Sequence, residues 1–283
     1  MKIETYKALT YNGKEFSLVD DYVSIEVALS ISINEVPFTL TMQTPGKEAE
    51  LVRGLLFTEN ILIDKFYAPT LEIKSKNEKG FINSINVQVE DEIILRDFEG
   101  TRNLMSSASC GICGKTSLDN LDCNTVINSE LLNPDLIFKM FNTVNTEQKD
   151  FQKSGGTHAA AAFDINGDLL CLYEDIGRHN AVDKVIGHLL NANLLAKAKC
   201  LTVSGRISYE IVSKTKVAGI PFLAAVSAPS SLAIEYAQQA GITLMAFCRN
   251  KKFTIYSNPQ QVAMNDEVLA IKKLKTKNNV KKS

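Results

Sequence analysis

The chain has 283 residues, 45% of them hydrophobic, enough to bury a sizeable core in two domains or one elaborated one. Lysine and arginine (31) balance aspartate and glutamate (32), which excludes the global basic field that non-specific nucleic-acid binding relies on, so any anion site must be local. Six cysteines in so long a chain make no disulfide scaffold, the start lacks the apolar run of a signal peptide, and no stretch offers ~18 uninterrupted apolar residues, so a cytoplasmic protein with no membrane and no nucleic-acid partner is expected.

Residues 1 to about 100 read as a β-rich N-terminal domain. From Tyr22 to Met42 the pattern predicts two strands around a turn at Asn34-Glu35, with Val23, Ile25, Val27 and Leu29 alternating on one face. Thr44-Pro45-Gly46 opens a helix, with Pro45 in its first turn and Ala49, Val52, Leu55 and Leu56 at helical spacing; packing is its expected role. Leu71 to Ile73 and Phe81 to Val89 read as further strands around a charged turn, Lys74 to Glu78.

Residues Asp97 to Asn133 show little periodicity, and a long irregular segment in a compact protein points to function. It holds Ser109-Cys110-Gly111-Ile112-Cys113-Gly114-Lys115, two cysteines among small residues that favour a loop. The neighbouring sulfur and Lys115 favour the thiolate, the reactive form. A redox dithiol, half of a zinc site and a persulfide-bearing nucleophile all share this spacing. Structural zinc needs four ligands, and here a single Cys-x-x-Cys precedes histidines that lie far downstream. A zinc deaminase needs His-x-Glu before its cysteines; the nearest match, His158-Ala159-Ala160, has no glutamate and follows them. No resident metal is therefore expected.

Asn133 and Pro134 mark a helix start, with Leu136 to Val144 as an amphipathic helix and the polar run Asn145 to Lys153 as a link. Gly155-Gly156-Thr157-His158 permits close approach of backbone to a ligand, although a lone histidine is more often structural than catalytic. Asn166-Gly167 signals a type I′ hairpin pairing Ala160 to Ile165 with Leu169 to Glu174. The next helix buries Ala181, Val182, Val185, Ile186, Leu189 and Leu190, which puts Gly177 to Asn180 at its N-terminus. An anion is favoured there, reinforced by Arg178 and His179; alternatively Asp175 and Asn180 are caps and Arg178 pairs with Glu174.

Strand and helix then alternate: Cys200 to Ser204, Ile207 to Val217, Phe222 to Val226, Ser230 to Ala240, Ile242 to Cys248. From Lys199 onward this predicts an α/β layer with parallel strands, inside an α/β domain over residues 134–260, whose ligands bind beyond the carboxyl ends of the strands. Those ends carry Ser204-Gly205-Arg206, Ser227 to Ser231, and Phe247-Cys248-Arg249-Asn250-Lys251-Lys252. Residues 101–133 form the cysteine-bearing loop segment, and residues 261–283 a basic tail expected to be disordered.

These motifs in this order, with Gly54-Leu55-Leu56-Phe57-Thr58-Glu59 and Glu174 to Lys184, resemble the FdhD family of formate dehydrogenase accessory sulfurtransferases over roughly residues 25–257. The resemblance implies a sulfurtransferase that takes sulfur from a cysteine desulfurase as a persulfide on Cys110, with Cys113 its partner. The sulfur passes to the molybdenum or tungsten bis(molybdopterin guanine dinucleotide) cofactor before its insertion into formate dehydrogenase. It also implies that Phe247, Cys248, Arg249, Asn250, Lys251 and Lys252 form a cofactor-binding segment, with a guanine nucleotide as an occupant of the same site. Arg206, Arg249, Lys251 and Lys252 are the candidate contacts, and Arg178 and His179 a second group. The fold implied is mixed α/β, α+β overall, with a C-terminal layer similar to the cytidine deaminase fold, in a homodimer. Asn60 and Asn250 stand where the family pattern has glycine; asparagine tolerates left-handed backbone, so both turns are expected to survive. A cofactor chaperone with dispensable cysteines and a dithiol oxidoreductase are the rival functions.

Overall fold

The computed structural model describes residues 2–64, 66–95 and 125–263. Cys110, Cys113 and residues 264–283 of the tail lie outside them, whereas Gln261 to Ala263 are ordered, Val262 being buried and Ala263 N bonding to Leu132 O.

The chain opens with two long strands, β1 (Ile3–Tyr11) and β2 (Phe16–Ser24), which among the described residues pair only with each other. Sequence reading missed β1 and ran β2 into its successor; the chain breaks at Ile25, whose N–H bonds to Lys2 O. Next come β3 (Val27–Ile33) and β4 (Val36–Gln43), joined as expected by Asn34-Glu35. Both turn residues have positive φ (47° and 68°), the type I′ signature that suits the right-handed twist of a hairpin. Helix α1 (Glu48–Thr58) starts three residues after Pro45, not on it, because Lys47 in left-handed backbone forms the helix cap. Strands β5 (Thr70–Lys76) and β6 (Ile82–Gln88) complete a sheet of order β4-β3-β6-β5. Leu29, Ile31, Ile33, Phe38, Ile85 and Val87 pack there against Leu51, Val52 and Leu56 of α1.

Helix α2 (Pro134–Glu147) begins as predicted, with Asn133 Oδ1 accepting from Asp135 N at 3.0 Å. The polar run after it is partly helical, forming α3 (Lys149–Ser154). Strands β7 (His158–Phe163) and β8 (Leu169–Asp175) form the expected hairpin, but its turn is not type I′. Asp164 Oδ1 accepts from Asn166 N and Asp168 N, both at 2.9 Å, so of Asn166 and Gly167 the glycine alone takes positive φ.

Helix α4 (Arg178–Asn191) is followed by β9 (Cys200–Val203), α5 (Tyr209–Val217), β10 (Phe222–Ala225), α6 (Ser231–Gln239), β11 (Thr243–Arg249) and β12 (Lys252–Ile255). The second sheet has the order β12-β11-β10-β9-β7-β8. Its centre, β9-β10-β11, is parallel as expected, each crossover carrying a helix. The outer strands extend that centre in the opposite sense: β7 runs antiparallel to β9, and β12 to β11. The two-residue turn between β11 and β12 allows only an antiparallel pair, whereas β7 is separated from β9 by β8 and α4. Residues from α4, α5 and α6 fill one face of this sheet and α2 the other, so alternate strand residues serve two cores.

The two sheets are fastened through α1 and α4. A Cβ at Gly54 would lie 1.9 Å from Asp183 O, and one at Gly187 1.9 Å from Glu50 O, so only glycine lets the helix backbones touch.

Candidate functional site

Because β9, β10 and β11 are parallel, their carboxyl ends share one edge, and hydrogen bonds stitch the three turns together. Ile207 N donates to Ala228 O at 3.1 Å, Ser230 N to Ile207 O at 2.9 Å, and Phe247 N to Ser227 O at 3.3 Å. The antiparallel β7 brings its first residue, His158, to the same edge, where it pairs with Asp175, the last residue of β8. The start of α4 follows at once. Ala159 N donates to Ser204 Oγ at 2.9 Å, and that hydroxyl lies 3.4 Å from His158 Nδ1. A Cβ on Gly205 would sit 3.4 Å from both Arg178 Cδ and His158 Nδ1, so three chain segments meet there.

The charges at this edge come from arginine, not histidine. Burial, reinforced by Arg178, holds the His158 pKa below the ordinary histidine value. Burial, then Lys214 and Arg178, lower that of His179 to about 4. Its Nε2 lies 3.3 Å from Ser208 Oγ and 4.0 Å from Glu210. His179 is thus a neutral dipole at physiological pH, and the positive reinforcement expected from it falls to Arg178 alone. The Arg178 Nε is buried and has no hydrogen-bond partner among the described residues. A phosphate oxygen suits such an atom, since guanidinium donors match oxyanion geometry.

Arg178 does not pair with Glu174. That carboxylate instead accepts from Asp150 N, Phe151 N and Thr157 Oγ1 at 2.7 to 2.9 Å. Asp175 does not cap α4 either: Gly177 holds the N-cap position with no side-chain cap bond, and Asp175 Oδ1 accepts from Gly177 N at 2.8 Å in the turn before the helix. Asn180 is not a cap: its amide donates to Met42 O at 2.8 Å and to Asp175 Oδ1 at 3.2 Å.

The segment Phe247 to Lys252 is a bulged hairpin. Asn250 and Lys251, with φ of 53° and 54°, form its two-residue turn between the paired Arg249 and Lys252. Asn60 (φ 52°) likewise takes the left-handed backbone anticipated where glycine was expected. Phe247 itself has φ 56°, uncommon for a bulky residue and costing about 1–2 kcal/mol. Arg206, Arg249, Asn250, Lys251 and Lys252 are exposed, whereas Cys248 is buried against the α2 face, which raises its thiol pKa to about 12. Its side chain therefore packs in the core, not toward the turns. Cys171 and Cys200 are buried as expected.

The motif residues Thr44, Asp175, Lys184, Thr58 and Asp183 hold the two sheets together. Lys184 Nζ donates to Asp175 Oδ2 at 2.6 Å and Thr44 O at 2.7 Å, and Thr44 N donates to Asp175 Oδ2 at 3.1 Å. Lys214 Nζ reaches both Asp183 oxygens at 2.9 Å and Thr58 Oγ1 at 2.8 Å. Burial opposes the charge on Lys214, but Asp183 and Glu59 outweigh it and raise its pKa. Sequence reading left His158 out of the candidate site and gave Ser204 and Gly205 no contact there, because their meeting depends on the antiparallel β7.

The model of the FdhD/NarQ family matches residues 24–263. A protein named sulfur carrier protein FdhD from Sulfolobus acidocaldarius is 38% identical over 245 residues, 86% of this chain and 92% of that protein. One of the same name from Streptomyces avermitilis is 35% identical over 92% of this chain and 96% of its own. A crystal structure described as that of a formate dehydrogenase accessory protein from Desulfotalea psychrophila superimposes with a TM-score of 0.73 at 23% identity, covering 93% of this chain and all of the other. That likeness concerns the fold.

Proposed function

Because this chain belongs to the FdhD/NarQ family, we propose that it is a sulfur carrier acting in the maturation of formate dehydrogenase. Cys110 takes sulfane sulfur from the persulfide of a cysteine desulfurase: its thiolate attacks the terminal sulfur and the donor cysteine leaves as a thiolate, with no net oxidation. The outer sulfur is then passed to the reduced molybdenum or tungsten bis(molybdopterin guanine dinucleotide), the substrate: the S–S bond breaks, Cys110 leaves as a thiolate, and the two electrons that bring the sulfur to the sulfide level come from the reduced metal. The strand-end turns hold this substrate, and a guanine nucleotide is a further occupant of the same site. What carries this reading is the meeting of His158, Arg178 and Gly205 at one sheet edge, where the buried Arg178 Nε has no hydrogen-bond partner among the described residues; the same edge carries Arg206 and the Arg249 to Lys252 hairpin. Together they offer donors to a doubly pyrophosphorylated ligand. The sheet order β8-β7-β9-β10-β11 supports the proposed likeness to the cytidine deaminase fold. The setting is the cytoplasm.

Incubation with a cysteine desulfurase and free cysteine, followed by non-reducing peptide mass spectrometry, is expected to find added sulfur on the peptide holding Cys110 and Cys113. Cys110→Ala is expected to abolish active formate dehydrogenase in a cell lacking the native protein. The clustered strand-end cations also favour a second reading, a cofactor chaperone. It predicts activity in a Cys110/Cys113 double mutant and failure of Arg249→Ala or Lys251→Ala.

A further inference from the structure

Ser204 and His158 share a chain of hydrogen bonds whose direction follows from counting protons. Ser204 Oγ accepts from Ala159 N at 2.9 Å and lies 3.4 Å from His158 Nδ1. A hydroxyl carries one proton and two lone pairs, so either it donates to Nδ1 or Nδ1 donates to it. Among the described residues, Nδ1 is the acceptor within reach of the Ser204 proton. A donating Nδ1 would leave that proton unbonded at a half-buried position, so the hydroxyl donates. Burial, with Arg178 and Arg206 against Asp175, favours the neutral ring. A neutral imidazole carries a single N–H, which then sits on Nε2. His158 Nε2 bonds to none of the described residues.

Gly205 leaves room beside this ring. A Cβ there would lie 3.4 Å from His158 Nδ1, 3.4 Å from Arg178 Cδ and 3.5 Å from Arg178 Cβ, all ordinary contacts. A methyl group would therefore fit, and would fill the space that glycine keeps open beside both side chains. The buried Arg178 Nε, without a hydrogen-bond partner among the described residues, is a second donor at the same place. On the reading of this edge as an oxyanion site, on which the inference rests, we propose that His158 touches the ligand there. Ser204 is a positioning residue that holds the proton on Nε2, and Nε2–H donates to a pyrophosphate oxygen beside the Arg178 guanidinium. The other tautomer would turn a lone pair toward that oxygen and repel it, so the placement of one proton decides whether the ring helps or hinders. Arg178 supplies the charge and His158 the direction.

The test uses the full chain with guanosine diphosphate as the probe. Because the chain has three histidines, the imidazole nitrogens are readily assigned by nuclear magnetic resonance. Without the probe, His158 is expected as the Nε2–H tautomer. Ser204→Ala is expected to populate the Nδ1–H form and Ser204→Thr to restore the wild-type pattern, a change that a merely structural serine would not produce. Adding guanosine diphosphate is expected to shift the Nε2 signal more than that of Nδ1. In titration calorimetry His158→Asn, whose amide reaches only the Nδ1 position, and Gly205→Ala are each expected to weaken binding roughly five- to tenfold. His158→Gln, which puts an amide donor near the Nε2 position, is expected to stay within about twofold of the wild type. An Nδ1–H tautomer in the wild type, or His158→Asn binding as tightly as His158→Gln, overturns the proposal and leaves the oxyanion site standing. A wild type that does not bind guanosine diphosphate overturns the site and the proposal together.

Discussion

His179 shows how one position can fit a motif and still play a different part from the one its type suggests. Sequence places it at a helix start, where an imidazolium would attract an anion; burial and the nearby Lys214 and Arg178 keep it neutral instead. With a folded-state pKa of about 4 against an ordinary 6.5, the unfolded chain takes up the proton first as pH falls. The stabilisation is therefore full above about 6.5 and is lost as pH drops toward about 4, by on the order of 2 kcal/mol. His179→Gln keeps a polar partner for Ser208 and removes this titration. Urea unfolding above and below that window is expected to show a flatter pH dependence in the variant. Asn60 and Asn250 were legible from sequence, because tolerance of positive φ is a property of the residue itself. The neutrality of His179 was not, because it depends on groups from α5 folding over it.

The elements themselves were largely readable. Periodicity, and Asn133 with Pro134, located α2, α5, α6 and the parallel strands. The crossing of α1 and α4 was not, since nothing local distinguishes Gly54 and Gly187 from weak helix residues. Their close approach makes a sharp prediction. Gly54→Ala or Gly187→Ala adds a helix-favouring methyl group, yet each is expected to destabilise the protein by about 3 kcal/mol or more, because backbone cannot yield as a side chain does. Chemical denaturation checks the sign: propensity alone would stabilise by about 1 kcal/mol. The β1-β2 hairpin escaped notice for a related reason. Its alternating face resembles that of a buried strand, but among the described residues it pairs with no third strand.

At the scale of the molecule, polar motif residues join the two halves. Asp175 and Lys184 are wholly buried, and burial lowers the lysine pKa while Asp175 resists the shift. Lys184→Met leaves Asp175 without its cation and Thr44 O without its donor. An expected loss of about 3–5 kcal/mol, measured by urea unfolding, follows from stranding a buried charge. The mixed α/β class, the parallel centre of the second sheet, the cysteine motif and the family were legible in the sequence, since these are written in local periodicity and residue order. Only the tertiary structure decided that β7 runs antiparallel, and hence that His158 meets Arg178 and Gly205. It also decided that Cys248 faces the core and that Asp175, Asp183 and Lys184 of the Glu174 to Lys184 motif join the two sheets. Side-chain direction and burial depend on partners far along the chain, and no local pattern encodes them.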